Sequence, residues 1–156
     1  MSAKLSDKAG LTLPEVLLSA VIISVAVLAL VGLFPTALQN VRYGGHMSQA
    51  SSLAQEMIEL IRTQPFATVS SYNNLDTQLP PPPTLTGAPL AHFNQWRNDI
   101  APASPAGALP QGRGTITVTA VPGPPGFELW EVTIRVSWRE SGNQTITIVT
   151  YVARYG

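Results

Sequence analysis

Residues 16–34 read VLLSAVIISVAVLALVGLF, nineteen positions without a charge. As a helix rising 1.5 Å per residue they span about 28 Å, close to the ~30 Å hydrocarbon core of a bilayer. The uncharged stretch is longer still, because no charge follows Glu15 until Arg42. It is apolar all round instead of striped, as a lipid-facing helix is. A secretory signal has a shorter apolar core, about 7–15 residues, and ends in small residues; this run ends in Phe34 and Pro35. A buried core helix would oblige a chain of 156 residues to wrap a fully apolar rod. The stretch therefore predicts a single-pass transmembrane helix. Lys4 and Lys8 precede it and nothing basic follows until Arg42, so the excess of positive charge places the N-terminus in the cytoplasm and the remainder outside.

The composition narrows the function classes. The length predicts one domain besides the span. Lys plus Arg and Asp plus Glu are 9 each, for a net charge of zero, and a phosphate binder needs a basic surplus. No nucleic-acid binding is evident. There is no cysteine, which removes disulfides, thiolate metal sites and a Cys nucleophile. The two histidines, His46 and His92, are too few and too distant in sequence to predict a metal site. No Ser/His/Asp grouping, phosphate loop or paired carboxylates emerge. The expectation is a non-enzyme without metal or cofactor.

Upstream of the span, residues 8–18 read KAGLTLPEVLL. Thr12 suits a helix cap and Pro14 the first turn, where a missing N–H costs nothing. Glu15 stands at the mouth of the apolar run. An acid at the centre of a membrane helix costs on the order of 2.5–3.5 kcal/mol, and less at the interface. Taken alone, Glu15 reads as a charge marking the membrane edge.

Taken together, Lys8-Ala-Gly10, Leu11-Thr-Leu-Pro-Glu15 and the uncharged span resemble the class III signal of type IV prepilins and of type II secretion pseudopilins. The resemblance implies cleavage after Gly10 by a prepilin peptidase, N-methylation of Leu11 and an assembly role for Glu15, the fifth residue of the mature chain. Two positions depart from the usual pattern: Leu11 stands in place of Phe, and Pro14 in place of an aliphatic residue. Among packed apolar helices an unpaired carboxylate is strongly disfavoured and seeks a cation. The amine of Leu11 on a neighbouring subunit would supply it and fix the axial register.

Beyond the span, Pro35 and Gly44-Gly45 are weak points of a helix. Periodicity resumes with Leu53, Met57 and Ile61 at i, i+4 and i+8, Ile58 and Leu60 beside them, and Glu56, Glu59 and Arg62 on the polar side. Residues 64–90 show no periodicity, and the prolines at 80–83 predict a stiff surface loop, with a proline-motif ligand as the alternative. Residues 89–100 predict a short helix with His92 and Arg97 exposed. The C-terminal third alternates: 115–121 is one strand. Trp130, Val132, Ile134, Val136 and Trp138 form the apolar face of a second, opposite Glu131, Thr133, Arg135, Ser137 and Arg139. After a turn at 140–143, residues 144–153 form a third. Trp130 and Trp138 predict core, with an aromatic sugar platform as the alternative.

The expected fold is α+β: a long N-terminal helix, its first half transmembrane and its second half amphipathic, packed on a small antiparallel sheet. The expected organisation is a leader over 1–10, the membrane and assembly helix over 11–35, its amphipathic continuation over 36–63, an irregular proline-rich region with a short helix over 64–113, and the sheet over 114–156. Residues 53–62, together with Trp96, LPQGRG at 109–114 and VTIRVSW at 132–138, are similar to PilV-type minor pilins and the related I-type pseudopilins. Gln111 stands where that family usually has Gly. The resemblance implies a pilin-like fold and a minor, structural subunit of a type IV pilus that acts in an initiation or tip complex. A pseudopilin of a type II secretion or DNA-uptake (competence) system is the alternative within the class, and an adhesin-like tip module the alternative outside it. The implied partners are other pilins through the N-terminal helix, the prepilin peptidase, and membrane lipid before assembly. The implied location is the inner membrane, with the head outside, and then a pilus or pseudopilus at the cell surface.

Overall fold

The computed structural model describes residues 12–100, 109–123 and 127–155. Helix α1 (Leu13–Arg62) is followed by a one-turn helix α2 (Phe66–Val69), a 3-10 turn (Ser70–Tyr72), strand β1 (Leu75–Asp76), helix α3 (Gly87–Ile100) and strands β2 (Arg113–Val121), β3 (Phe127–Arg139) and β4 (Asn143–Tyr155). The four strands form one antiparallel sheet in the order β1-β2-β3-β4. The fold is α+β, with the second half of α1 packed on the sheet, as the sequence predicts. The chain divides into two units at residues 42 and 43.

The first unit holds the apolar half of α1. Thr12 precedes the helix, and its carbonyl accepts the N–H groups of Glu15 at 3.0 Å and Val16 at 3.2 Å. Fourteen large apolar side chains from Leu13 to Phe34 are more than half exposed. Keeping such side chains in water costs about 1.5–3 kcal/mol each, roughly 20–40 kcal/mol together. That exceeds the ~5–15 kcal/mol by which a whole domain is stable, so an apolar surrounding is required. The helix is long and apolar enough to cross a membrane. Its hydroxyls are satisfied within the helix: Ser19 Oγ donates to the Glu15 carbonyl at 2.8 Å, and Ser24 Oγ to that of Ala20 at 2.7 Å. Pro35 lies inside the helix and leaves the carbonyl of Val31 without its N–H donor. Gly44 and Gly45 are helical too, with open space where a Cβ would stand.

The second unit is built on one core. On α1 the buried residues are Ala50, Leu53, Ala54, Met57, Ile58 and Ile61, a stripe at three- and four-residue spacing. They meet Ile116 and Val118 of β2 and Val132, Ile134, Val136 and Trp138 of β3 in a single cluster. Helix α3 adds Phe93, Trp96 and Ile100. Ile146, Ile148 and Val152 of β4 are half-buried at its margin. The alternate residues of each strand face outward, as a sheet covered on one side requires.

Three details depart from the sequence reading. Residues 64–90 hold α2, the 3-10 turn and β1, elements of two to four residues that are too short to show a period. Helix α3 begins at Gly87 instead of Pro89, so Pro89 falls within its first turn, where the missing donor is harmless. His92 and Arg97 are half-buried, not exposed. For His92 the cause is the Tyr72 hydroxyl, 2.8 Å from its Nδ1, with the two rings stacked. Trp138 is buried in the core and Trp130 half-buried beside the ring of Phe66. No exposed indole pair therefore exists to form a sugar platform.

The turn that starts the sheet is tightly determined. Gly112 N–H donates to the Leu109 carbonyl at 2.9 Å, with Pro110 and Gln111 between them. Gln111 has φ of +51°, so the turn is type II, which favours glycine at that position. Arg139 N–H donates to the Pro110 carbonyl at 2.8 Å and ties the turn to the end of β3. Trp96 donates its indole N–H to the Leu53 carbonyl at 3.0 Å and thereby joins α3 to α1. Its ring lies on Gly114, where a Cβ would stand only 2.6 Å from Trp96 Cζ3 and from Ile100 Cδ1.

Two substitutions in this turn have opposite expected effects on chemical denaturation of the detergent-solubilised chain. Gly114→Ala overpacks the Trp96 site and costs about 1–3 kcal/mol. Gln111→Gly relieves a left-handed backbone worth about 1–2 kcal/mol, part of it offset by unfolded-state entropy of about 0.4–1 kcal/mol. Its stability stays level or rises. A clear loss for Gln111→Gly would contradict the turn assignment.

Candidate functional site

Two regions hold candidate functional groups. The first is the N-terminal junction. Gly10 and Leu11, the expected cleavage and methylation positions, lie outside the described residues. Glu15 lies in the first turn of α1. An acid in the first turn is favoured by the positive end of the helix dipole. Its side chain is exposed and touches no cation among the described residues. The next turns present only the apolar and small side chains of the span. The arrangement places one anion at the edge of an apolar rod, with nothing in the same chain to neutralise it among the described residues.

The second region is the outward face of the sheet at the end near the β3–β4 hairpin. Its register follows from strand pairing: Arg113 lies opposite Ser137, Thr115 opposite Arg135, Ser137 opposite Thr145, and Arg139 opposite Asn143. Asp76, opposite Thr115 on β1, shares this face. Arg113 Nε donates to Asp76 Oδ1 and Oδ2 at 3.2 and 3.1 Å, and Arg113 Nη2 to Oδ2 at 2.5 Å. The guanidinium holds the Asp76 carboxyl below its usual range, and the Gln78 N–H at 3.0 Å adds to this. Beside this pair is a concavity of about 460 Å³, lined by Arg113, Arg135, Arg139, Trp138 and neutral hydroxyl and amide side chains. Arg135 and Arg139 are exposed and have no partner among the described residues. Sequence alternation already puts Arg135 and Arg139 on one face of β3. It could not reveal that Arg113 joins them, because that depends on register across two strands.

Two further polar contacts join α1 to the hairpin region. His46 Nδ1 of α1 lies 3.2 Å from Glu140 Oε1 at the hairpin. Beside it, the Tyr43 hydroxyl donates to Gln144 Oε1 at 3.3 Å. Burial pushes the Tyr72 phenol up to about 12. Among the described residues no group of three His, Asp or Glu is gathered as a metal site would need. No family model matches the chain, and comparison with curated proteins and with solved structures finds no match either.

The shifted groups predict two pH limbs. The Asp76 carboxyl is lowered in the folded state, so its contribution is present above the ordinary carboxylate value of about 3.9 and is lost as pH falls through the folded value. Tyr72 stays protonated up to about 12 when folded, whereas an unfolded phenol ionises near 10. Its contribution is intact below about 10 and is lost as pH rises toward 12. Denaturation midpoints of the full chain measured across both ranges should show a weaker acid limb in Asp76→Asn and a weaker alkaline limb in Tyr72→Phe. Unchanged slopes in these variants would refute the assignments.

Proposed function

We propose that the protein is a minor pilin-like structural subunit of a type IV pilus, acting in an initiation or tip complex. In this reading a prepilin peptidase cuts after Gly10, the new amine of Leu11 is methylated, and the chain waits in the membrane on the apolar half of α1. Assembly then moves that helix from lipid into a bundle of neighbouring pilin helices. The observation that supports it best is Glu15: a lone carboxylate in the first turn of an exposed apolar helix, without a cation among the described residues. Such a group is tolerable at a membrane edge but demands a partner inside a helix bundle. The Leu11 amine of the next subunit meets that demand. The pair sets register because any axial slip leaves both charges unpaired.

The head fits a subunit built for packing and display. Its core is closed by α1 itself, so the helix that packs against neighbours is also the helix on which the sheet folds.

Intact mass and N-terminal sequencing of the protein extracted from the host membrane test this directly. The expected chain begins at N-methylated Leu11. A chain beginning at Met1 or Ser2, or one cut beyond Phe34, would overturn the proposal. Glu15→Ala is expected to be processed normally yet to enter filaments poorly, since removing one member of a buried pair costs about 3–5 kcal/mol. Gly10→Asp is expected to retain its leader. Normal incorporation of Glu15→Ala, or leader loss in Gly10→Asp, would count against the assignment.

A further inference from the structure

We propose that the outward face of the sheet near the β3–β4 hairpin binds an acidic saccharide through Arg135 and Arg139. The inference goes beyond assembly and stands whether or not Glu15 fixes a register.

Three of the chain's nine Lys and Arg line one concavity of about 460 Å³ on a protein whose net charge is zero. That gathering is uneven for a chain otherwise so poor in charge. Arg113 is occupied, since Asp76 accepts three contacts from it. The Asp76 pair therefore forms a fixed wall beside Arg135 and Arg139, which stand free among the described residues. They are four residues apart on β3, about 14 Å along the strand. Ser137 sits between them.

The neutral lining decides the ligand class. Ser137, Thr115 and Asn143 share the concavity with the arginines. Hydroxyls and amides both donate and accept, as sugar hydroxyls do. A guanidinium binds a carboxylate through two parallel N–H donors. The combination matches a ligand with many hydroxyls and a few carboxylates. A volume in the roughly 300–1,000 Å³ range is that of small-ligand sites. Single-stranded nucleic acid would want aromatic platforms, and Trp138, the aromatic residue of the lining, is buried in the core. An acidic peptide could also meet an arginine cluster, but the hydroxyl and amide side chains around Arg135 and Arg139 match a polyhydroxylated ligand better. Hexaglutamate stands in the test as the peptide outcome.

The test uses the full chain in micelles of a polyoxyethylene detergent, which has no sugar headgroup. Calorimetric titration is run with trigalacturonate, a hyaluronate tetrasaccharide and sialyllactose. The comparison ligands are methyl-esterified trigalacturonate, inorganic phosphate and hexaglutamate. We expect saturable binding of at least one acidic saccharide. The ester should bind at least about tenfold more weakly, as should each of Arg135→Gln and Arg139→Gln, the loss expected when a charge-assisted contact is removed. Thr119→Ala, on the same face but outside the concavity, should bind normally. Circular dichroism confirms that each variant is folded. No saturation with any of the three acidic saccharides would overturn the proposal. So would equal affinity for the ester, comparable binding of phosphate or hexaglutamate, or unchanged binding by both folded arginine variants.

Discussion

The burial of the α1 stripe from Ala50 to Ile61 against the sheet is the contact on which the rest of the second unit depends. Val132, Ile134 and Val136 line the other side of that core. A short antiparallel sheet with one apolar face is not stable alone, and a helix of this kind is the cover it needs. Once the stripe is seated, the Leu53 carbonyl is in place to accept the Trp96 indole N–H, and α3 joins the same core. Trp96 in turn requires Gly114 at the start of β2. A chain of steric dependence therefore runs from the helix face, through one indole, to the turn that opens the sheet.

That chain also sets the outward face. Gly114 faces the core, so Arg113 and Thr115 face away from it, and the pairing with β3 brings Arg113 beside Ser137 and Thr115 beside Arg135. Strand β1 is only two residues long, yet it delivers Asp76 to Arg113. The Thr77 hydroxyl accepts the Gly114 N–H at 2.9 Å, and the Asn73 side chain accepts that of Val118 at 2.9 Å. These side chains satisfy donors of β2 beside a partner strand that covers little of its edge. The concavity is thus a by-product of core packing on the opposite face.

Helix α1 serves two solvents. Its N-terminal half exposes Leu, Ile and Val all round, whereas from Ala50 onward the apolar side chains are gathered on one face. Glu15 begins the first regime, and Glu56, Glu59 and Arg62 mark the polar side of the second. Pro35 and the Gly44-Gly45 pair lie in the helix between the exposed apolar run and the buried stripe that begins at Ala50.

Much of this was legible in the amino-acid order, because periodicity is a local property. An uncharged run of nineteen residues, a stripe at i, i+4 and i+8, and strict alternation over 130–138 follow from side-chain spacing along one element. The odd residue of the turn, Gln111, was visible too, though its left-handed backbone was not. Tertiary structure alone decided which elements meet. The half-burial of His92 comes from a tyrosine twenty residues away. The occupied state of Arg113 comes from an aspartate on another strand, and the three-arginine concavity comes from register across β2 and β3. Such contacts are set by how strands align and helices seat against one shared core, and no window along the chain contains that information.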